Sequence, residues 1–173
     1  MRTMQVRFAG IGGQGVVLAG VILGEAAAIE GLNVLQTQDY SSASRGGHSI
    51  ADVIISKEPI YDVIVTEADV LVALAQLGYD TVKDELKKDG LLIVDTDLVK
   101  PDRDYLGAPF TRLAEENTGL ALTVNMVALG YLVAKTGVVK KENVEEAIRR
   151  RVPKGTEEIN IKAFRVGYEE GCR

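Results

Sequence analysis

The chain has 173 residues, 46% of them hydrophobic and 26% charged, with a formal net charge of −5 at pH 7, one cysteine and one histidine. That length carries one core, so residues 1–173 are expected to form a single domain, and the acidic balance excludes a general nucleic-acid binder, which needs a basic groove. Cys172 alone excludes a disulfide framework, a thiolate metal cage and an iron–sulfur ligand set within this chain, and His48 alone cannot build a zinc site, so no metal is assigned.

Residues 5–9 read as a first strand, Gly10-Ile11-Gly12-Gly13-Gln14-Gly15 as a glycine turn, and residues 13–30 as a helix that is apolar nearly all round. A strand, glycines and a helix start in that order aim unpaired N–H groups and a partial positive charge at an anion in front of them. Glycines there also serve simply to bring helix and strand together, so the pattern alone is not specific. Arg2, Arg7 and Ala26-Ala27-Ala28 around the apolar run imitate a secretory signal, but glycines and Gln14 intervene and Glu25 breaks the run. The run also falls short of the ~20 apolar residues of a membrane span, so a cytoplasmic chain with no membrane contact is expected. Gly20 and Gly24, one turn apart, would let another segment approach closely. So apolar a helix should be covered beyond its sheet side, by this domain or by a partner.

Gly31 stops the helix, and residues 32–37 read as a second strand, completing a βαβ unit whose crossover should be right-handed. Residues 38–47 lack periodicity and form a loop that leaves the sheet on the same edge as the glycine turn. In it, Ser44-Arg45-Gly46-Gly47 joins a fixed cation to two glycines, which suits an anion clamp or a subunit contact; a plain turn before a hairpin is the bland reading. Residues 49–56 alternate, with Ala51, Val53 and Ile55 on one side, Lys57-Glu58-Pro59 makes a turn, and residues 60–65 read as the returning strand of an antiparallel hairpin. Residues 70–74 and 91–94 are continuous apolar strands with an amphipathic helix over 79–88 between them.

Helices are expected over 111–117, over 124–135 with Gly137 ending it, and over 142–151, where Glu145/Arg149 and Glu146/Arg150 are spaced to pair. A last helix starts at a Thr156 cap and turns Ile159, Ala163 and Val166 inward. Asn125 and Gly130 stand out within their apolar helix. The sum is an α/β fold: one Rossmann-like three-layer domain with a mostly parallel sheet and an antiparallel hairpin.

A dinucleotide site adds an acid at the end of the second strand, and the nearest is Asp39, in the serine-rich loop. Asp95 and Asp97 follow a strand and could form an acid–base or metal pair, although carboxylates there more often cap turns. Arg149-Arg150-Arg151 at a helix C-terminus is explained by the helix dipole. No Ser/His/Asp or Cys/His constellation assembles, so no catalytic residue is assigned.

Together Gly10-Ile11-Gly12-Gly13-Gln14-Gly15-Val16-Val17-Leu18-Ala19-Gly20, Ser44-Arg45-Gly46-Gly47, Asp69-Val70-Leu71-Val72-Ala73-Leu74, Ile93-Val94-Asp95 and Asn125-Met126-Val127-Ala128-Leu129-Gly130 resemble the gamma subunit of 2-oxoacid:ferredoxin oxidoreductases, over almost the whole chain. The resemblance implies one subunit of an enzyme that converts a 2-oxoacid and coenzyme A to acyl-CoA and CO2 and reduces ferredoxin. It implies alpha and beta partners, with delta as a further candidate, thiamine diphosphate between alpha and beta, and iron–sulfur clusters in other chains. It also implies that Gly12, Gly13, Gln14 and Gly15, with Ser44, Arg45, Gly46 and Gly47, face the region where coenzyme A arrives. This chain alone would bind no resident cofactor and have no activity, and a homodimer is an option for it in isolation.

The Gly-Gly-Gln-Gly-Val-Val-Leu-Ala form with a following Arg-Gly-Gly resembles the 2-oxoglutarate enzymes more than the pyruvate ones. Where those often carry Gly-Pro-Glu-Ala before Arg-Gly-Gly, this chain has Ser41-Ser42-Ala43-Ser44, which leaves pyruvate, branched-chain 2-oxoacid and indolepyruvate enzymes open. A different class, a free-standing NAD- or nucleotide-binding domain, is disfavoured by the missing acid at the second strand's end. A purely structural scaffold between subunits is a third reading.

Overall fold

The structure is a computed structural model that describes residues 2–40 and 47–173, with only the backbone of Tyr40 described. Strand β1 (Met4–Ile11) leads through the glycine turn into helix α1 (Val16–Ile29), and Gly31, at φ +78°, turns the chain into β2 (Asn33–Tyr40). β3 (His48–Ser56), β4 (Ala68–Ala73), α2 (Gln76–Val82), β5 (Leu86–Asp95) and β6 (Leu106–Ala108) follow. Then come α3 (Phe110–Thr118), α4 (Val124–Thr136), α5 (Lys141–Arg151) and α6 (Glu157–Cys172). Among the described residues no helix is long and apolar enough to cross a membrane.

The six strands lie in the order β2-β3-β1-β4-β5-β6. β4, β5 and β6 continue β1 in parallel, whereas β3 is hydrogen-bonded to both β1 and β2 and antiparallel to each. The expected unit of strand, helix and strand therefore skips a position, because β3 lies between its two strands. The reason is in β3's side chains: Ala51, Val53 and Ile55 are buried in one core and Ile50 and Ile54 in the other. A strand apolar on both faces belongs inside a sheet, and the more polar β2, with Gln36, Thr37, Gln38 and Asp39, takes the edge.

The antiparallel hairpin consequently consists of β2 and β3. Residues 60–65 are not a strand, since both edges of β3 are already paired, and Tyr61 and Ile64 are 87% and 68% exposed. The helix expected over 79–88 also ends earlier, at Val82, with one 3-10 turn over Lys83–Glu85 before β5 begins at Leu86. Tyr79, Val82 and Leu86 are all buried at spacings that imitate a helical stripe, although Leu86 is a strand residue.

One face of the sheet is covered by α1, α4, α5 and α6 around Val6, Phe8 and Val72; the other carries α2 and loops over Leu71, Leu92 and Val94. Gly20 sits over Ala51, Gln36 and Val53, and Gly24 over Val34, so α1 lies low on β2 and β3. A Cβ on Gly130 would collide with the carbonyl of Phe164, and one on Gly167 with that of Val127, so α4 and α6 cross backbone to backbone. α6 turns Ile161, Ala163, Phe164 and Gly167 inward, while Ile159 and Val166 are half-buried. Thr156 precedes α6 without capping it: its hydroxyl donates to Pro153 O at 2.6 Å. Glu146 pairs with Arg150 as its spacing suggests, at 3.1 Å, but Glu145 takes Arg165 of α6 at 2.8 Å.

Candidate functional site

The glycine turn lies at the C-terminal edge of the sheet, where β1 leads to α1 on one face and the adjacent parallel β4 leads to α2 on the other. Connections that part on opposite sides leave a crevice at the strand ends, and open α/β sheets place their ligands there. Gly12 and Gly13 are exposed in it. Gly13 and Gly15 have φ of +89° and +69°, which a side chain would resist, and a Cβ on Gly10 would lie 2.5 Å from Gln14 Oε1. Gly78 of α2, not singled out in the sequence, would put a Cβ 2.5 Å from Gly10 N, so α2 touches the end of β1 with its backbone.

Two side-chain amides hold the turn. Gln14 Oε1 accepts from Ile11 N at 2.9 Å while its Nε2 donates to Leu74 O at 2.9 Å, tying the turn to the end of β4. Asn125 Nδ2, from the first turn of α4, donates to Gly15 O at 3.1 Å. The Gln14 amide is thus spent on the fold, which leaves backbone N–H groups as the groups offered outward. Ala19 is the first residue of α1 to donate back, to Gly15 O at 3.1 Å, so Val16, Val17 and Leu18 have no earlier turn to bond to. Among the described residues the N–H groups of Gly13 and Gly15 have no acceptor either.

The loop expected beside this turn is anchored there at both ends. Tyr40 pairs with Ser49, Ile11 pairs with His48, and Gly12 N donates to Gly47 O at 3.1 Å. Of the four loop residues singled out, Gly47 is therefore in contact with the turn, while Ser44, Arg45 and Gly46 lie outside the described residues. Leu77 at the start of α2 and Leu122 just before α4 are 47% and 66% exposed, which adds apolar surface at this edge.

Asp39 is in β2 itself, opposite Ile50, and its carboxylate stands 3.6 Å from His48 Nε2. With β3 interposed, β2 is not the neighbour of β1, so among the described residues its Asp39 is not held beside β1 where a dinucleotide ribose would need an acid. His48 is the first residue of β3.

The remaining carboxylates serve the fold. Asp95 is fully buried; its Oδ1 accepts from Asp97 N at 3.1 Å, and its Oδ2 accepts from the Thr111 amide at 2.8 Å and hydroxyl at 2.6 Å, closing the start of α3. Asp97 takes both ends of the Arg112 fork, at 2.9 and 3.0 Å. Arg150 and Arg151 reach Glu25 on α1 at 3.3 and 2.5 Å, holding its carboxyl below the usual range.

Residues 5–170 match the family model described as pyruvate ferredoxin/flavodoxin oxidoreductase. The chain is 46% identical to the 2-oxoglutarate synthase subunit KorC of Methanocaldococcus jannaschii, over 95% of this chain and 92% of that one. It is 42% identical, with a TM-score of 0.87, to the crystal structure of the keto/oxoacid ferredoxin oxidoreductase gamma subunit of Geobacter sulfurreducens, over 99% and 97% of the two chains. It also shares its fold, at a TM-score of 0.86 and 24% identity, with a chain of the 2-oxoglutarate:ferredoxin oxidoreductase of Magnetococcus marinus, solved with 2-oxoglutarate, coenzyme A and succinyl-CoA bound; 99% of this chain covers 31% of that longer one.

Proposed function

The chain belongs to the pyruvate ferredoxin/flavodoxin oxidoreductase family, and from that premise we propose that it is the gamma subunit of a 2-oxoglutarate:ferredoxin oxidoreductase. The assembled enzyme converts 2-oxoglutarate and coenzyme A to succinyl-CoA and CO2, and two electrons pass to ferredoxin. Similarity to a 2-oxoglutarate synthase subunit along nearly its full length carries the reading. Thiamine diphosphate, which supports the decarboxylation, and the iron–sulfur clusters are assigned to alpha, beta and other partner chains, and the whole to the cytoplasm.

This chain's own contribution is a binding edge for coenzyme A. The N–H groups of Gly13, Gly15 and the first turn of α1 suit a phosphate of its nucleotide end, and a helix start favours negative charge there. Arg45, in the loop anchored at Tyr40 and Gly47, supplies the countercharge. Gln14 acts by bracing the turn, with Asn125, rather than by touching ligand. Leu77 and Leu122 are covered by a partner chain in the complex.

Reconstitution tests this. The chain alone should show no 2-oxoacid decarboxylation, and adding it to its partner subunits should restore turnover that is fastest with 2-oxoglutarate. Activity of the isolated chain, or faster turnover of pyruvate or a branched 2-oxoacid, would overturn the assignment. In the assembled enzyme Arg45→Ala should raise the KM for coenzyme A about tenfold, the equivalent of roughly 1.4 kcal/mol. An unchanged KM removes the loop from coenzyme A binding and leaves it as a subunit contact.

A further inference from the structure

The two edges of the sheet differ in a way the proposed function does not use. β6 closes one edge with three residues, a length that limits pairing with another chain. β2 leaves the other edge open over eight residues with no proline, glycine, lysine or bulge to blunt it, and among the described residues nothing pairs with its outer side.

Two further observations lie at that edge. Gln36 Nε2, between β2 and Gly20 of α1, is shielded from solvent and has no hydrogen-bond acceptor among the described residues. An amide donor buried without an acceptor costs about 1–3 kcal/mol, so its place calls for a partner. Above it, α1 is asymmetric. Ala19, Leu23 and Ala26, on the flank turned to the core, are fully buried, whereas Val17, Val21 and Ala28 on the opposite flank, over the β2 edge, are accessible. Glu25, which lies between Val21 and Ala28 along that side, is engaged by Arg150 and Arg151.

We propose that β2 pairs with β2 of a second copy of this chain, antiparallel about a twofold axis through Gln36, with the two α1 helices packing flank to flank on the same face. The twofold requires residues equally far from Gln36 to oppose each other on one face. Gln36 then meets Gln36 of the second copy, and a turn of each side-chain amide from beneath Gly20 toward the seam gives its N–H the other's carbonyl oxygen. Val34 opposes Gln38, Leu35 opposes Thr37, and Asn33 opposes Asp39, so no like charges face each other and the acid meets an amide. Val17, Val21 and Ala28 of both copies close over the seam. The strand is its own complement, which is what favours a second copy over an unrelated chain.

The test is the association state and register of the full chain. Sedimentation should give twice the monomer mass, and Gln38→Lys or Val21→Lys should weaken the dimer at least tenfold while the circular dichroism spectrum of the folded chain is unchanged. In a Cys172→Ser background, Gln36→Cys should form a disulfide-linked dimer on mild oxidation, while Leu35→Cys and Gln38→Cys, which have no twofold mate at their own position, should not. A chain that stays monomeric at the highest concentration tested overturns the proposal. So does a dimer that tolerates both lysines, or crosslinking at Gln38→Cys as efficient as at Gln36→Cys.

Discussion

On one face of the sheet α1, α4, α5 and α6 form a helical layer over Val6, Phe8 and Val72, whereas on the other a single seven-residue helix and irregular segments cover Leu71, Leu92 and Val94. The thick face is held by shape, since glycines at 130 and 167 let α4 and α6 approach until backbones touch. The thin face is held by charge. Arg7, 5% exposed, forks onto Asp52 at 2.7 and 2.9 Å, donates to Val65 O at 2.8 Å and pairs with Glu85, so one guanidinium joins β1, β3, the loop before β4 and the turn before β5. Burial works against that charge, but the Asp52 and Glu85 carboxylates outweigh it and hold the Arg7 pKa above the usual value. Tyr79 does the same on a smaller scale, donating its hydroxyl to Asp102 at 2.5 Å beside Lys83 at 2.8 Å. Where helices are too few to cover a sheet, buried polar pins take over the work of packing.

Gly167→Leu is the hardest blow to the thick face. The new side chain meets the Val127 carbonyl with nowhere to move, and a loss above about 4 kcal/mol, seen as little soluble folded protein, is expected. A stable variant would mean that α4 and α6 do not depend on contact at that distance. On the thin face Arg7→Ala strands Asp52 in the interior and should cost about 3–5 kcal/mol in denaturant unfolding. Arg7→Met with Asp52→Leu should recover most of that, because a well-packed apolar pair often equals a buried ion pair. If the double variant is as unstable as the single, the pin is needed for its charge rather than for filling space.

Gln14→Ala falls between the faces, at the turn. It removes two hydrogen bonds and leaves Leu74 O unpaired, so about 1–3 kcal/mol should be lost, with a higher KM for coenzyme A in the assembled enzyme. The smallest effect is acid sensitivity on the thin face. Hydrogen bonds from Lys83 and Tyr79 hold the Asp102 carboxyl down to about 2, against an ordinary 3.8. A depressed carboxyl stabilises the fold above its unfolded value and loses that contribution as pH falls from about 4 toward 2. Asp102→Asn should therefore lower the melting temperature slightly at neutral pH, where the carboxylate's contribution is fully present, and leave it unchanged near pH 2, flattening the acid end of the profile.

The parts legible in the sequence are those decided locally. The glycine turn is six contiguous residues, α4 starts after Thr123 and stops at Gly137 with φ +60°, and the exit of the chain after β2 beside the turn follows from parallel strands, although residues 38–40, expected in the loop, belong to β2. What the sequence hid was decided at a distance. A single chain cannot show that β3 inserts between β1 and β2, because alternation describes one strand and not its neighbours. α6 was misread for a related reason: Gly167 and Gly171 carry its contact face, and hydrophobic periodicity counts glycine as nothing. Gln14 entered the expected site through the family resemblance, and its side-chain amide is directed to Leu74 O. The sign that could have found this is a polar side chain flanked by positions where only backbone is tolerated.

The ladder that fixes Tyr40 against Ser49 and Gly47 against Gly12 also fixes what evolution is free to alter. The six residues between them enter and leave at fixed points, so changing their sequence leaves the strand pairings on either side in place. The pairings that hold the sheet together are thereby separated from the one stretch of sequence that can be exchanged between its fixed ends.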